Sequence, residues 1–301
     1  LQLIDGDLLF TGSFGFVKEE NLFCYQQDKS NSIPASFVMN RNVLSFKVGQ
    51  YDHLSKLIID PDIVWGTYYG DDYTDDHAKK IIVDPEGNLL VTGETATTSN
   101  FTTTGAFQTT YAGGLYDAFI MKWSAAGNRY WVTYYGGNDR DCSFSVYADA
   151  GSNVYGAGDS KSNNLFVQNA HQPTYGGMVD VFFFKLNKDG FMQWATYYGG
   201  SAGDHNDGGV TGDRYGNIYL CGWTESFDNI STPGSYQPAK GLIMDAFLAK
   251  FNSDGVRLWA TFYGGDDEDR AHACAVDLNN DLYMSGTTPS IYAISKVDAP
   301  Q

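Results

Sequence analysis

The chain repeats itself. WGTYYG at 65–70, WVTYYGG at 131–137, WATYYGG at 194–200 and WATFYGG at 259–265 recur about every 65 residues. Each is followed by an acidic loop, then by an apolar stretch that ends in Asp, then by a turn containing Gly or Asn. A fixed period of this length marks stacked supersecondary units rather than one irregular fold. It constrains architecture far more than chemistry.

The first full unit reads as four strands. HAKKIIVD (77–84) and LLVTG (89–93) flank the turn PEGN (85–88), which is the pattern of a hairpin. A polar connection over 95–114 leads to YDAFIMKW (116–123), the turn SAAGN (124–128) and RYWVTYYGG (129–137). Units two and three match it strand for strand, and a fourth supplies ACAVD (273–277), DLYMSG (281–286) and IYAISKV (291–297). Four-stranded antiparallel units in tandem predict an all-β β-propeller, with a solenoid of hairpins as the competing arrangement. The small, apolar first strands suit a crowded centre, whereas the Trp- and Tyr-rich fourth strands suit the outer rim. DIVWGTYY (62–69) is a fourth strand with no blade before it, and the fourth unit lacks one. Pairing the two predicts a ring closed at four blades; a fragment of a larger ring carries the same pattern. Residues 1–60 lack the repeat and read as a β-rich segment or the tail of an upstream domain, leaving 61–301 for the propeller.

Asp+Glu 36 against Lys+Arg 19 gives a formal net charge of −17. Such a chain repels a phosphate backbone and an anionic bilayer, so neither nucleic acid nor membrane is an expected partner. No apolar run reaches the length of a membrane-spanning helix. Cys24, Cys142, Cys221 and Cys274 form neither a CxxC pair nor a zinc spacing, and are expected as buried free thiols. The sequence opens at Leu1 without a signal-peptide pattern, as expected of a processed or excised part of a longer chain.

The candidate binding surface is the set of loops between each fourth strand and the next first strand: GDDYTDDH (70–77), GNDRD (137–141), GSAGDHND (200–207) and GDDEDR (265–270). In a propeller these loops emerge at one end, beside the long connections. They would gather Asp71, Asp72, Asp75, Asp76, Asp139, Asp141, Asp204, Asp207, Asp266, Asp267 and Asp269 into an acidic face. Hard cations such as Ca²⁺ take several carboxylate and carbonyl oxygens, and Ca²⁺ is the ion such loops would suit. The spacing matches no EF-hand, no metal ligand set is assigned, and no other cofactor is expected. Asp residues that recur in every unit suit structural work equally well, capping backbone amides in tight turns. Asp117, Asp180 and Asp245 read as blade-to-blade contacts, and Asp84, Asp149, Asp213 and Asp277 as hairpin-turn acceptors. His77, His205 and His272 lie near the same loops at unlike offsets.

The unit W-x-T-Y-Y-G-G, acidic loop, A/V-D-x-x-G-N-x-Y-x-x-G, then G-A-F-Q and D-A-F-x-x-K, resembles the bacterial seven-bladed β-propeller repeat family across residues 62–290. Gln108, Gln172 and Gln237 fit its long connection. The stretch 45–61 resembles the end of the β-rich domain that commonly precedes these repeats. The resemblance implies a secreted or cell-surface home, in some bacteria with type IX export, and no catalytic residues. The leading expectation is therefore a non-enzymatic extracellular propeller that offers its acidic face to a protein or glycan within a larger chain or assembly. A carbohydrate-active hydrolase or lyase with carboxylates at the channel mouth is the alternative, and a structural spacer in a filament or secretion assembly is a third.

Overall fold

The computed structural model describes residues 2–292 and 294, apart from 5–6, 13–14, 20–21, 29, 41–42, 61–65 and 72. Every regular element among them is a β-strand. The chain divides into two compact units, Leu1–Tyr68 and Tyr69–Gln301.

In the first unit β1 (Gln2–Ile4), β2 (Asp7–Gly12) and β3 (Gly15–Glu19) form an antiparallel meander. β4 (Phe23–Gln26) lies between β5 (Ser32–Ile33) and β8 (Leu57–Asp60), and β6 (Ala35–Asn40) pairs with β7 (Val43–Val48). Cys24, Ile33 and Phe37 are its buried apolar residues among those described.

The second unit is a row of blades. Blade 1 holds β9 (Asp76–Val83), β10 (Leu89–Thr95), β11 (Asp117–Trp123) and β12 (Arg129–Tyr135). Blade 2 holds β13 (Asp141–Ala148), β14 (Val154–Ser160), β15 (Asp180–Leu186) and β16 (Met192–Tyr198). Blade 3 holds β17 (Asp204–Gly212), β18 (Ile218–Thr224), β19 (Asp245–Phe251) and β20 (Arg257–Tyr263). In all three the strands pair antiparallel in chain order, and β21 (Arg270–Val276) and β22 (Leu282–Thr287) begin a fourth sheet. The first strands β9, β13, β17 and β21 pack against one another from blade to blade, which places them on the inside.

Local chemistry explains each blade. Asp84 Oδ1 accepts from the amides of Glu86 (2.9 Å) and Asn88 (2.8 Å), and Asp149, Asp213 and Asp277 do the same in their hairpins. This is the turn role the repeat predicts. A register shift in each first strand brings its backbone against the second strand, at Gly93, Gly158, Gly222 and Gly286. A Cβ at any of the four would strike the carbonyl oxygen of His77, Cys142, His205 or Arg270, so only glycine fits.

Blades are tied together by the aromatic residues of the fourth strand. Trp131 Nε1 donates to the carbonyl of Lys188 (3.1 Å) and Trp194 Nε1 to that of Ser253 (3.0 Å), each in the next blade. Tyr135, Tyr198 and Tyr263 donate to the carbonyls of Phe166, Ile230 and Ile294 at 2.8, 2.8 and 2.6 Å. Tyr69 makes the same bond to Phe101 in blade 1, so it does the work of a fourth-strand tyrosine although Gly66–Tyr69 form no ladder. Between the sheets lie two large cores. One is built on Tyr135, Phe182, Phe184 and Trp131, the other on Phe183, Trp194, Tyr198, Phe247 and Phe251.

The expected closure at four blades would pair 62–69 with the third strand of the fourth unit, 291–297, and falls largely outside the described residues. Among the described residues the fourth sheet holds two strands, and 61–65, 293 and 295–297 lie outside the description. Strand β9 is open, with Ile81 59% and Val83 42% exposed, whereas its counterpart β13 is buried along most of its length.

Candidate functional site

The acidic loops gather at the end of the blades where the first strands begin, and their aspartates fall into two groups. Asp71, Asp75, Asp139, Asp207 and Asp266 are exposed, Asp267 is half-buried, and Asp72 lies outside the described residues. Asp71 Oδ1 accepts from the amides of Tyr73 (2.8 Å) and Thr74 (2.9 Å), bonds that hold its carboxyl below the usual range and keep it charged. Tyr73 beside it is fully exposed.

Asp141, Asp204 and Asp269 are buried, and Asp76 is partly buried. Their carboxylates close the loop instead of facing out. The second glycine of each YGG donates its amide: Gly137 to Asp141 (2.7 Å), Gly200 to Asp204 (2.7 Å) and Gly265 to Asp269 (2.6 Å). Hydroxyls from the end of the second strand complete the shell, Ser160 and Ser162 on Asp141, Thr224 and Ser226 on Asp204, Thr95 and Thr97 on Asp76. These three buried aspartates therefore leave the set that a partner can touch. The loop needs an acceptor for its own amides, and an aspartate at the strand start is the nearest one.

A second buried set stands opposite. Asp117, Asp180 and Asp245 are fully buried and accept from the long connection of their own blade: Ala112 N (2.7 Å), Gly176 N (2.8 Å) and Gly241 N (3.0 Å). They are within-blade clamps, not the blade-to-blade contacts expected. Burial pushes Asp117 up to about 7 and Asp141, Asp180 and Asp204 up to about 6, and it raises Asp245 too. A raised carboxyl can serve as a general acid, but these five have no exposed surface from which to reach a substrate.

The groups that differ from blade to blade line the inner side of the same end. One residue before Thr95, Ser160 and Thr224 stand Glu94, Asp159 and Trp223, and each meets a residue at the start of the next blade. Arg140 Nη2 lies 2.7 Å from buried Glu94 Oε2, and Lys79 Nζ lies 3.0 Å from Glu94 Oε1. His205 Nδ1 lies 2.6 Å from Asp159 Oδ2 and its ring stacks on Trp223 at 4.0 Å. Arg270 covers Trp223 at 4.7 Å. Trp223 Nε1 also donates to Asp207 (2.6 Å), while His272 meets Thr287. His77 Nδ1 lies 3.2 Å from Glu94 Oε1, so the three histidines have separate partners, and no cluster of three or more ligating side chains suited to a metal ion exists among the described residues. Sequence reading missed this row because no letter repeats in it; only the register against the Thr/Ser position marks it.

All four cysteines are free thiols, Cys24, Cys142 and Cys221 buried and Cys274 half-buried. No helix is long and apolar enough to cross a membrane among the described residues.

Residues 64–101 and 193–230 match a family described as a beta-propeller repeat. The chain carries β-propeller repeats of this family. Residues 1–62 match a separate family, a domain of unknown function (DUF7948). An uncharacterized WD repeat-containing protein of Acanthamoeba polyphaga mimivirus is 27% identical over 168 residues, covering 51% of this chain and 12% of that protein. The matched half of this chain thus corresponds to a small part of that relative. In the propeller, the shared loops carry both the exposed and the buried aspartates, so the family pattern alone does not separate them.

Proposed function

We propose that this propeller is a non-enzymatic binding scaffold that acts outside the cell and offers its acidic end to a cationic segment of a protein partner. The observation that carries the reading is the projection of Asp71, Asp75, Asp139, Asp207 and Asp266 from rigid blades at one end. The loops are fastened from beneath by the buried aspartates, so the exposed ones are held without ordering cost at the moment of binding. Charge of one sign on one face speeds encounter with an oppositely charged partner and makes it sensitive to salt. The carboxylates with acid-like pKa values are sealed under glycines, which favours binding over hydrolysis. A fluorescent octalysine peptide tests the electrostatics. Asp71→Asn, Asp139→Asn and Asp266→Asn together should weaken its binding about tenfold at low salt, whereas Asp189→Asn with Asp254→Asn at the opposite end should not. Equal loss from both sets would show only bulk charge and remove the proposal.

A further inference from the structure

The far end of the propeller holds a cleft of about 490 Å³ between blades 1 and 2, well inside the range of small-ligand sites. Its walls come from the β9–β10 turn (Glu86), the long connection of blade 1 (Thr103, Thr104), the start of β12 (Tyr130) and the β15–β16 turn of blade 2 (Lys188, Phe191). Tyr130 and Phe191 are 55% and 56% exposed, although both are large aromatics. The floor is Trp131, fixed by its bond to the Lys188 carbonyl and by Gly190, whose missing Cβ would stand 2.9 Å from the indole. The cleft is therefore preformed.

Three features narrow the ligand. The lining is polar and apolar in nearly equal measure, which does not suit a greasy molecule. Its cations are already matched: Lys122 Nζ lies 2.8 Å from Asp84, and Glu86 reaches both Lys122 (3.9 Å) and Lys188 (4.0 Å). With Asp189 added, an anion finds no spare positive charge. What remains is a pair of exposed aromatic faces beside hydroxyl, carboxylate and ammonium groups, the combination that holds a neutral polyol by stacking its C–H faces and bonding its hydroxyls. The same features are missing one blade on, where Glu86, Tyr130, Lys188 and Phe191 are replaced by Gly151, Gln193, Ser253 and Val256. An architectural residue repeats in every blade; this set does not.

We infer that the cleft between blades 1 and 2 is a binding site for a neutral oligosaccharide, with Tyr130 and Phe191 as its stacking platforms. The site is independent of the acidic end. Titration calorimetry of the whole chain with maltohexaose, cellohexaose, chitohexaose and mannohexaose at millimolar concentrations tests it, with Trp131 fluorescence as a second readout. At least one probe should bind, and Tyr130→Ala and Phe191→Ala should each weaken it about tenfold while the folded spectrum is unchanged. Asp71→Asn should leave sugar binding intact, which separates this site from the acidic end. No binding of any of the four would overturn the inference. So would undiminished binding by the double variant, or a sulfated hexasaccharide that binds more tightly than every neutral probe.

Discussion

His205 and Asp159 are joined across the junction of blades 2 and 3, Nδ1 to Oδ2 at 2.6 Å, with the imidazole stacked on Trp223. Burial acts to lower the His205 pKa, but the hydrogen bond and charge of Asp159 outweigh it and hold the ring above the ordinary imidazole value. The folded state therefore binds this proton more tightly than the unfolded chain. The stabilisation is fully present below about pH 6.5 and is lost as pH rises through the elevated value. Asp159→Asn should flatten that part of the profile and cost about 1.5–3 kcal/mol at pH 6 in urea unfolding. An unchanged profile would show that the contact does not link protonation to folding.

The buried aspartates push in the same direction on a larger scale. A carboxyl raised in the folded state binds more protons folded than unfolded between its ordinary value, about 4, and its folded one. Asp141, Asp180 and Asp204 at about 6 and Asp117 at about 7 therefore make stability fall as pH climbs from about 4 to 7. Thermal melting should show a higher Tm near pH 5 than at pH 8. Asp117→Asn should remove part of that difference, because it abolishes a buried charge whose Oδ1 has no partner. A Tm that rises steadily from pH 5 to 8 would refute the assignment.

The first glycine of each YGG exists for those carboxylates. A Cβ on Gly199 would sit 2.7 Å from Asp204 Oδ2 and 2.9 Å from Asp180 Cγ, with both aspartates fully buried. Gly199→Ala is expected to destabilise by about 1–3 kcal/mol, the usual cost of overpacking. Gly66→Ala, with nothing within 4 Å of its Cβ, should be close to neutral. Denaturant midpoints of the two variants make the comparison, and equal midpoints would contradict it.

The blades were legible in the sequence because the same letters fall at the same register in each unit: the turn Asp, the YGG glycines and the fourth-strand Trp. The site was legible only in part. Asp139 and Asp141 look alike as letters, yet Asp141 receives the Gly137 amide and two serine hydroxyls and is buried, whereas Asp139 is exposed. That difference depends on serines some 20 residues away in sequence, and no local pattern reveals it. Glu94, Asp159 and Trp223 share a structural position with no shared chemistry, so a search for repetition passes over them. The same holds for Tyr130 and Phe191, which one period later become Gln193 and Val256.

Gln172 tests whether the buried clamp and the long connection act together. Its backbone amide donates to Thr196 Oγ1 (2.8 Å), its Nε2 donates to Asp180 Oδ2 (2.9 Å), and its Oε1 accepts from Gly199 N (3.0 Å). Gln108 and Gln237 repeat the arrangement on Asp117 and Asp245. Removing the side chain strips Asp180 of a donor and leaves the Gly199 amide without its acceptor, so Gln172→Ala should cost about 2–4 kcal/mol. Loss of that donor should also lift Asp180 further above its ordinary value, which deepens the fall in stability between pH 5 and 8. Gln172→Met keeps the volume without the bonds and should reproduce most of the loss. If the Met variant matches wild type, the side chain fills space and the hydrogen bonds contribute little.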